Sequence, residues 1–158
     1  MEKSKDQTID EDEIVVSYDV TSLFAEIPLD KTINHIFDQI YKQHKLPQIA
    51  SWAIFKRLLE RVTKGTVFSF NRKLYKQVDG CSMGNPLSPT LANIFMCKLE
   101  EDTVTPHNLP FYDWYVDDCF TKRNTNTPDN LLEKLNSYNP NIKFTALPPS
   151  GGGKGVLF

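Results

Sequence analysis

The sequence predicts an α+β fold, on two observations. Short β-branched or aromatic runs and longer stretches of helical periodicity follow one another in the order β-α-α-β-β-loop-α-β-β-α-β. That mixed order departs from the regular strand–helix alternation of a parallel sheet. In addition, no segment repeats, and the longest apolar runs are only a few residues, too short to span a membrane. At 158 residues, 40% apolar and 24% charged, the chain has the size and balance of one soluble domain with a real core.

The elements follow in order. Residues 14–20, IVVSYDV, are β-branched and read as a buried strand ending near Asp19. After Pro28, Ile33, Ile36, Phe37, Ile40, Tyr41 and His44 recur at helical spacing, predicting a helix over 29–44. A second helix is predicted from Pro47 to Lys64, with Pro47 suited to its first turn and Gly65 to its stop. TVFSF and KLYKQV flank Asn71-Arg72 as a hairpin. GCSMGNP is a glycine-rich loop, and Ser88 with Pro89 is the predicted cap and first residue of the next helix. FYDWYV and CFTK predict a second hairpin turning at Asp117-Asp118. PDNLLEKLNSY reads as a shorter helix, and NIKFTAL and GVLF as strands.

Charge is unevenly placed. Residues 1–13 hold six acids and two lysines and read as an acidic, flexible leader. Residues 42–76 hold nine Lys or Arg against Glu60 alone, which suits a polyanion or the solvated face of a helix. Cys81, Cys97 and Cys119 are odd in number and widely spaced, so free thiols are expected and no disulfide partner. His35, His44 and His107 form no metal-ligand pattern. The first residues lack the apolar core of a signal peptide, which makes an intracellular protein the default.

Three features ask for one site. Asp19 closes a strand, a usual place for a catalytic group on a rigid element, although an Asp there is also an ordinary turn residue. GCSMGNPLSP, 80–89, brings glycines and a helix N-terminus together, as phosphate-binding loops do and as plain connectors also do. Asp117 and Asp118 are adjacent like charges, either a solvated turn or a cation site. If the first strand and the second hairpin are neighbours, three carboxylates converge, and such a cluster calls for a neutralising cation. Oxygen donors without His or Cys select a hard ion, Mg2+ or Mn2+. Two decoys are set aside. SGGGKG, 150–155, lacks the spacing and hydroxyl of a Walker A loop, and IDEDE, 9–13, lacks the glycine and final Glu of an EF-hand.

SYDVTSLFAEIP (17–28), GCSMGNPLSPTLANIFM (80–96) and YVDD (115–118) resemble, in order and spacing, motifs A, B and C of reverse transcriptases, with wording closest to the Penelope-like retroelements. PNIKFT, 140–145, is similar to the stretch that follows the catalytic motifs there, so the resemblance covers about 14–145. It implies a polymerase palm: an antiparallel sheet with helices 29–44 and 89–103 on one face, ferredoxin-like in outline. It implies RNA-directed DNA synthesis, with two Mg2+ ions (or Mn2+) and an RNA template, a DNA primer and dNTP as partners. Nuclear action is expected of a retroelement.

By position, the resemblance makes Asp19, Asp117 and Asp118 catalytic metal ligands, Asp118 the weaker one, with the Val20 carbonyl as a backbone ligand. Phe24 would stand against the sugar of the incoming nucleotide, or else pack in the core. Met83, Gly84 and Asn93 would lie at the nucleotide; Met83 stands where many relatives have Gln, and Asn93 could equally be a helix polar residue. Gly80, Pro86, Ser88 and Tyr115 would lie along template and primer. Residues 14–158 are then expected to form the palm, with a partial fingers insertion at about 47–78 and with the N-terminal fingers and the thumb missing. Two alternatives stand beside an active polymerase. One is a truncated remnant that binds nucleic acid or metal without catalysis. The other is a small-molecule nucleotidyl transferase or metal-dependent phosphatase, which leaves the motif B string unexplained.

Overall fold

The computed structural model of the chain describes residues 13–43, 51–105, 111–124 and 130–147. Residues 1–12 of the acidic leader, His44, Pro47, His107 and the expected GVLF strand lie outside the described residues, and Glu13, expected in the leader, belongs to the first strand. Strand β1 (Glu13–Thr21) puts Val16, Tyr18 and Val20 on one face and Ser17, Asp19 and Thr21 on the other. It is longer than expected, so Asp19 lies within the strand and not at its tip. Ser22, at φ 53, turns the chain into a single helical turn, α1 (Leu23–Glu26), which sequence periodicity does not reveal.

Helix α2 (Leu29–Ile36) buries Leu29, Thr32, Ile33 and Ile36. The expected 29–44 helix is α-helical only to Ile36 and continues as a π turn, Phe37–Tyr41. Helix α3 (Trp52–Thr63) ends at Lys64 before Gly65, whose φ of +80 is the left-handed stop that glycine favours. Strands β2 (Val67–Phe70) and β3 (Lys73–Lys76) form a separate hairpin. Asn71 and Arg72 are both left-handed, at φ 47 and 60, as a two-residue type I′ turn requires. Helix α4 (Ser88–Leu99) passes into a second π turn, Glu100–Val104.

Strands β4 (Phe111–Tyr115) and β5 (Asp118–Asn124), helix α5 (Leu131–Tyr138) and strand β6 (Lys143–Leu147) complete the fold. The four-stranded sheet has the order β4-β5-β1-β6 and every pairing in it is antiparallel. In chain order this is the split β-α-β, β-α-β connectivity of ferredoxin-like folds, with β1 and β4 separated by the inserted β5. Helices cover one face. Leu91, Ala92, Phe95, Met96 and Leu99 of α4 join Ile36, Leu131 and Leu135 over Val16, Tyr18, Val20, Cys119 and Phe144 in one buried cluster. Tyr18, Met96, Leu99, Cys119 and Leu135 are fully buried. Burying each large apolar side chain contributes about 1.5–3 kcal/mol, so this core fixes the register of β1 against β5.

The edge strand β6 is tied down by one side chain. The Asn136 amide donates to the Phe144 carbonyl at 3.1 Å and accepts from the Phe144 N–H at 2.8 Å. Both outward backbone groups at that position are thereby satisfied, which blunts an exposed edge. Among the described residues no helix is long and apolar enough to cross a membrane.

Candidate active site

The face of the sheet away from the helices carries the site. One row runs straight across all four strands: Tyr115 opposite Asp118, Asp118 opposite Asp19, and Asp19 opposite Thr145. Directly opposed residues share a face with Cβ atoms about 4.5–5.5 Å apart, and like charges so placed repel. The central pair of the sheet therefore holds a carboxylate against a carboxylate. The third joins from the turn, where the Val20 N–H donates to the Asp117 carbonyl at 2.9 Å.

The turn itself is shifted by one residue from its expected place. It consists of Val116 and Asp117, and Asp118 is the first residue of β5. Val116 has φ 58, a left-handed conformation that a β-branched side chain resists and that glycine normally supplies at the first position of a type II′ turn. The register thus sets Asp118 across from Asp19 and leaves Asp117 one residue further along, held through its backbone. Tyr115 is exposed beside them.

Beneath this row the opposite faces carry Cys119 against Tyr18 and Trp114. Burial, foremost, pushes the Cys119 thiol up to about 12, and the negative fields of Asp118, Asp117 and Asp19 add to it. The buried thiol lies within the field of all three carboxylates. Burial also raises the neighbouring Tyr112 phenol, whose hydroxyl lies against the Cys119 thiol and makes its one polar contact among the described residues there. The Trp114 indole N–H donates to Glu100 at 3.1 Å, linking β4 to the end of α4.

The donor set suits a hard cation. Among the described residues no three His, Cys, Asp or Glu side chains close around a single point as a ready-made ion cage. Mg2+ does not require such a cage: one or two carboxylates, with substrate phosphates and water, are its usual shell. The opposed pair Asp19 and Asp118 meets that requirement, and the Cys119 thiol lies on the other face.

The GCSMGNP loop docks directly on the segment that follows β1. The Cys81 N–H donates to the Phe24 carbonyl at 2.6 Å. At Gly80, with φ +67, an added Cβ would lie 2.0 Å from the Ala25 carbonyl oxygen and 2.6 Å from that of Phe24. The reason for glycine here is the chain's own backbone, where the sequence argument had a ligand. At Gly84 only the Ser82 hydroxyl comes near, at 3.9 Å, so nothing among the described residues forbids a side chain there. Ser88 is fully buried and its hydroxyl donates to the Ser82 carbonyl at 2.6 Å. It does not cap α4. Leu87 holds the cap position without a side-chain bond.

Sequence reasoning missed Asn85, which organises this loop. Its side-chain oxygen accepts from the Leu87 N–H at 2.9 Å, its carbonyl accepts from the Ser88 N–H at 3.0 Å, and its amide donates to the Val62 carbonyl at the end of α3. An Asn three residues before the helix start, and two before its cap position, was the available signal. Phe24 is half-buried and packs on the core edge, whereas Met83, Pro86 and Asn93 are exposed.

A family model described as reverse transcriptase (RNA-dependent DNA polymerase) matches residues 2–144. The chain belongs to the reverse transcriptase family. No curated protein matches it.

Proposed function

We propose that the chain is the catalytic palm of a Penelope-like RNA-directed DNA polymerase, extending a DNA primer on an RNA template from dNTP by two-metal nucleotidyl transfer. The observation that carries this is the row Tyr115–Asp118–Asp19–Thr145 across the sheet, with Asp117 bound to Val20 beside it. A like-charge pair at the centre of a sheet is unfavourable in itself, and a divalent cation turns it into a binding site.

Asp19, Asp117 and Asp118, with the Val20 carbonyl, would hold the ions. Two Mg2+, when bound, supply the charge that offsets the triphosphate and favours in-line attack of the primer 3′-OH on the α-phosphate. The residues around them position the reactants. Phe24, whose backbone is pinned to motif B, keeps its ring where a 2′-OH would clash and so selects deoxynucleotides. Gly84, free of any protein contact that would require glycine, leaves room for the nascent base pair, with Met83 and Asn93 exposed alongside. Tyr115 presents its ring to the primer end, and Gly80, Pro86 and Ser88 shape the loop under the template. Residues 47–78 serve as a partial fingers segment.

Primer extension on an RNA template tests the reading. The purified chain is expected to add dNTP in the presence of Mg2+, and Asp117→Asn to add none. Equal incorporation by the variant would reject the assignment.

A further inference from the structure

We propose that the β2–β3 hairpin is a stacking platform for single-stranded nucleic acid. The register Phe68–Tyr75 and Phe70–Lys73 puts three rings and one ammonium on a single face of this two-stranded sheet. Phe68 and Tyr75 are stacked, with ring centroids 5.7 Å apart and planes 19° from parallel, and Phe70 leans on Tyr75 at 6.5 Å. All three are open to solvent although they are aromatic: Phe68 is 51% exposed, Tyr75 43% and Phe70 68%. No element covers them among the described residues.

Charge identifies the occupant. Residues 51–78 hold seven Lys or Arg against one acid, Glu60. On the other face of the hairpin, Lys76 joins Arg57, Arg61, Lys64, Gly65 and the single acid Glu60 around a groove of about 390 Å3. Among the described residues Arg57, Arg61, Lys73 and Lys76 make no ion pair, and only Lys64 is paired, with Asp30 at 2.6 Å and Glu60 at 3.9 Å. A two-stranded sheet is thinner than the screening length of about 8–10 Å, so the platform lies within this positive potential. The core of a protein interface is depleted in charge, whereas rings interleaved with cations suit a polyanion whose bases can be splayed onto them. A duplex keeps its bases stacked internally and offers none to the rings. The platform therefore selects single strands with little regard to sequence. That the bound strand is the incoming template rests on the polymerase reading; the binding itself does not.

The test is fluorescence anisotropy of the full chain with labelled oligo(U), oligo(dT) and a fully paired hairpin duplex at several salt concentrations. Phe70→Ala and Tyr75→Ala should each weaken single-strand binding by about tenfold and leave duplex binding unchanged. Circular dichroism shows whether each variant is folded. Lys73→Gln should reduce the salt slope on single strands by about 0.7. Phe70→Trp should retain binding and show indole quenching on addition of oligo(U), which reports stacking directly. Unchanged binding in the folded alanine variants, or equal loss on duplex, overturns the proposal. So does a concentration-dependent dimer that Phe70→Ala dissociates while oligonucleotide binding persists. Ring-dependent binding without primer extension leaves the platform standing and removes the polymerase reading. Extension with dispensable rings does the reverse.

Discussion

The opposed carboxylates of β1 and β5 should make the metal-free protein less stable than it need be. In Asp118→Asn the shape is kept and one of two facing charges is removed. At about 5 Å the repulsion is roughly 0.8 kcal/mol at the dielectric of water and about 3 kcal/mol at an effective value of 20. Asp118 is exposed and Asp19 half-buried, so screening favours the lower end, about 1 kcal/mol. For a chain of this length that corresponds to a melting temperature higher by about 2–4 °C in EDTA. The gap should narrow as salt rises, because screening removes the same repulsion. In Mg2+ the order should reverse. A cation at ten times its dissociation constant stabilises the parent chain by about 1.4 kcal/mol, and the variant should lose most of that response. Thermal melts in EDTA and across a Mg2+ titration at fixed ionic strength measure both effects. A variant less stable in EDTA, or one with the parent's full Mg2+ response, would refute the electrostatic account of the site.

Further outcomes follow from the rest of the structure. Gly80→Ala should destabilise the fold by about 3 kcal/mol or more, read as a urea midpoint, since its Cβ meets fixed backbone in a left-handed residue; Gly84→Ala should be nearly neutral in that assay and impair extension. Val116→Gly should raise stability by about 0.5–1 kcal/mol by releasing a strained turn, and a loss would mean that packing of the half-buried valine outweighs the strain. In thiol titration Cys97 should react first and Cys81 and Cys119 only on unfolding, with the Cys97 rate still climbing past pH 9 because burial and then Glu100 and Glu101 raise it. Folding stability should also fall as pH rises from 9 towards 12: the unfolded chain releases the Cys119 proton near 9, while the folded chain holds it to about 12. In Cys119→Ala that part of the decline should vanish.

Local signals carried the strands, the Asn71-Arg72 hairpin and the Gly65 stop, because in each the side-chain chemistry matches the backbone geometry required. The second hairpin shows where such signals end. Turn rules favour aspartates over valine at left-handed positions, yet Val116 occupies one, since pairing of Tyr18 with Cys119 and of Trp114 with Cys119 fixes the register from the core side. The two π turns have no sequence signature, and the bond of Asn136 to the edge of β6 joins residues whose contact no periodicity reveals. Asp19 and the paired aspartates were legible as carboxylates in search of a partner. Which of the pair faces Asp19 depended on a one-residue register that only the fold supplies. Gly80 was legible as an obligatory glycine, but its neighbour proved to be Ala25.

The long connection from β1 to β4 leaves and re-enters the sheet on strands separated by β5, and it carries α3, the β2–β3 hairpin and the loop before α4. Length or sequence can change inside that excursion without sliding any strand past its neighbour. That excursion can diversify while the aspartates stay in register, much as a tool head is exchanged on a fixed handle.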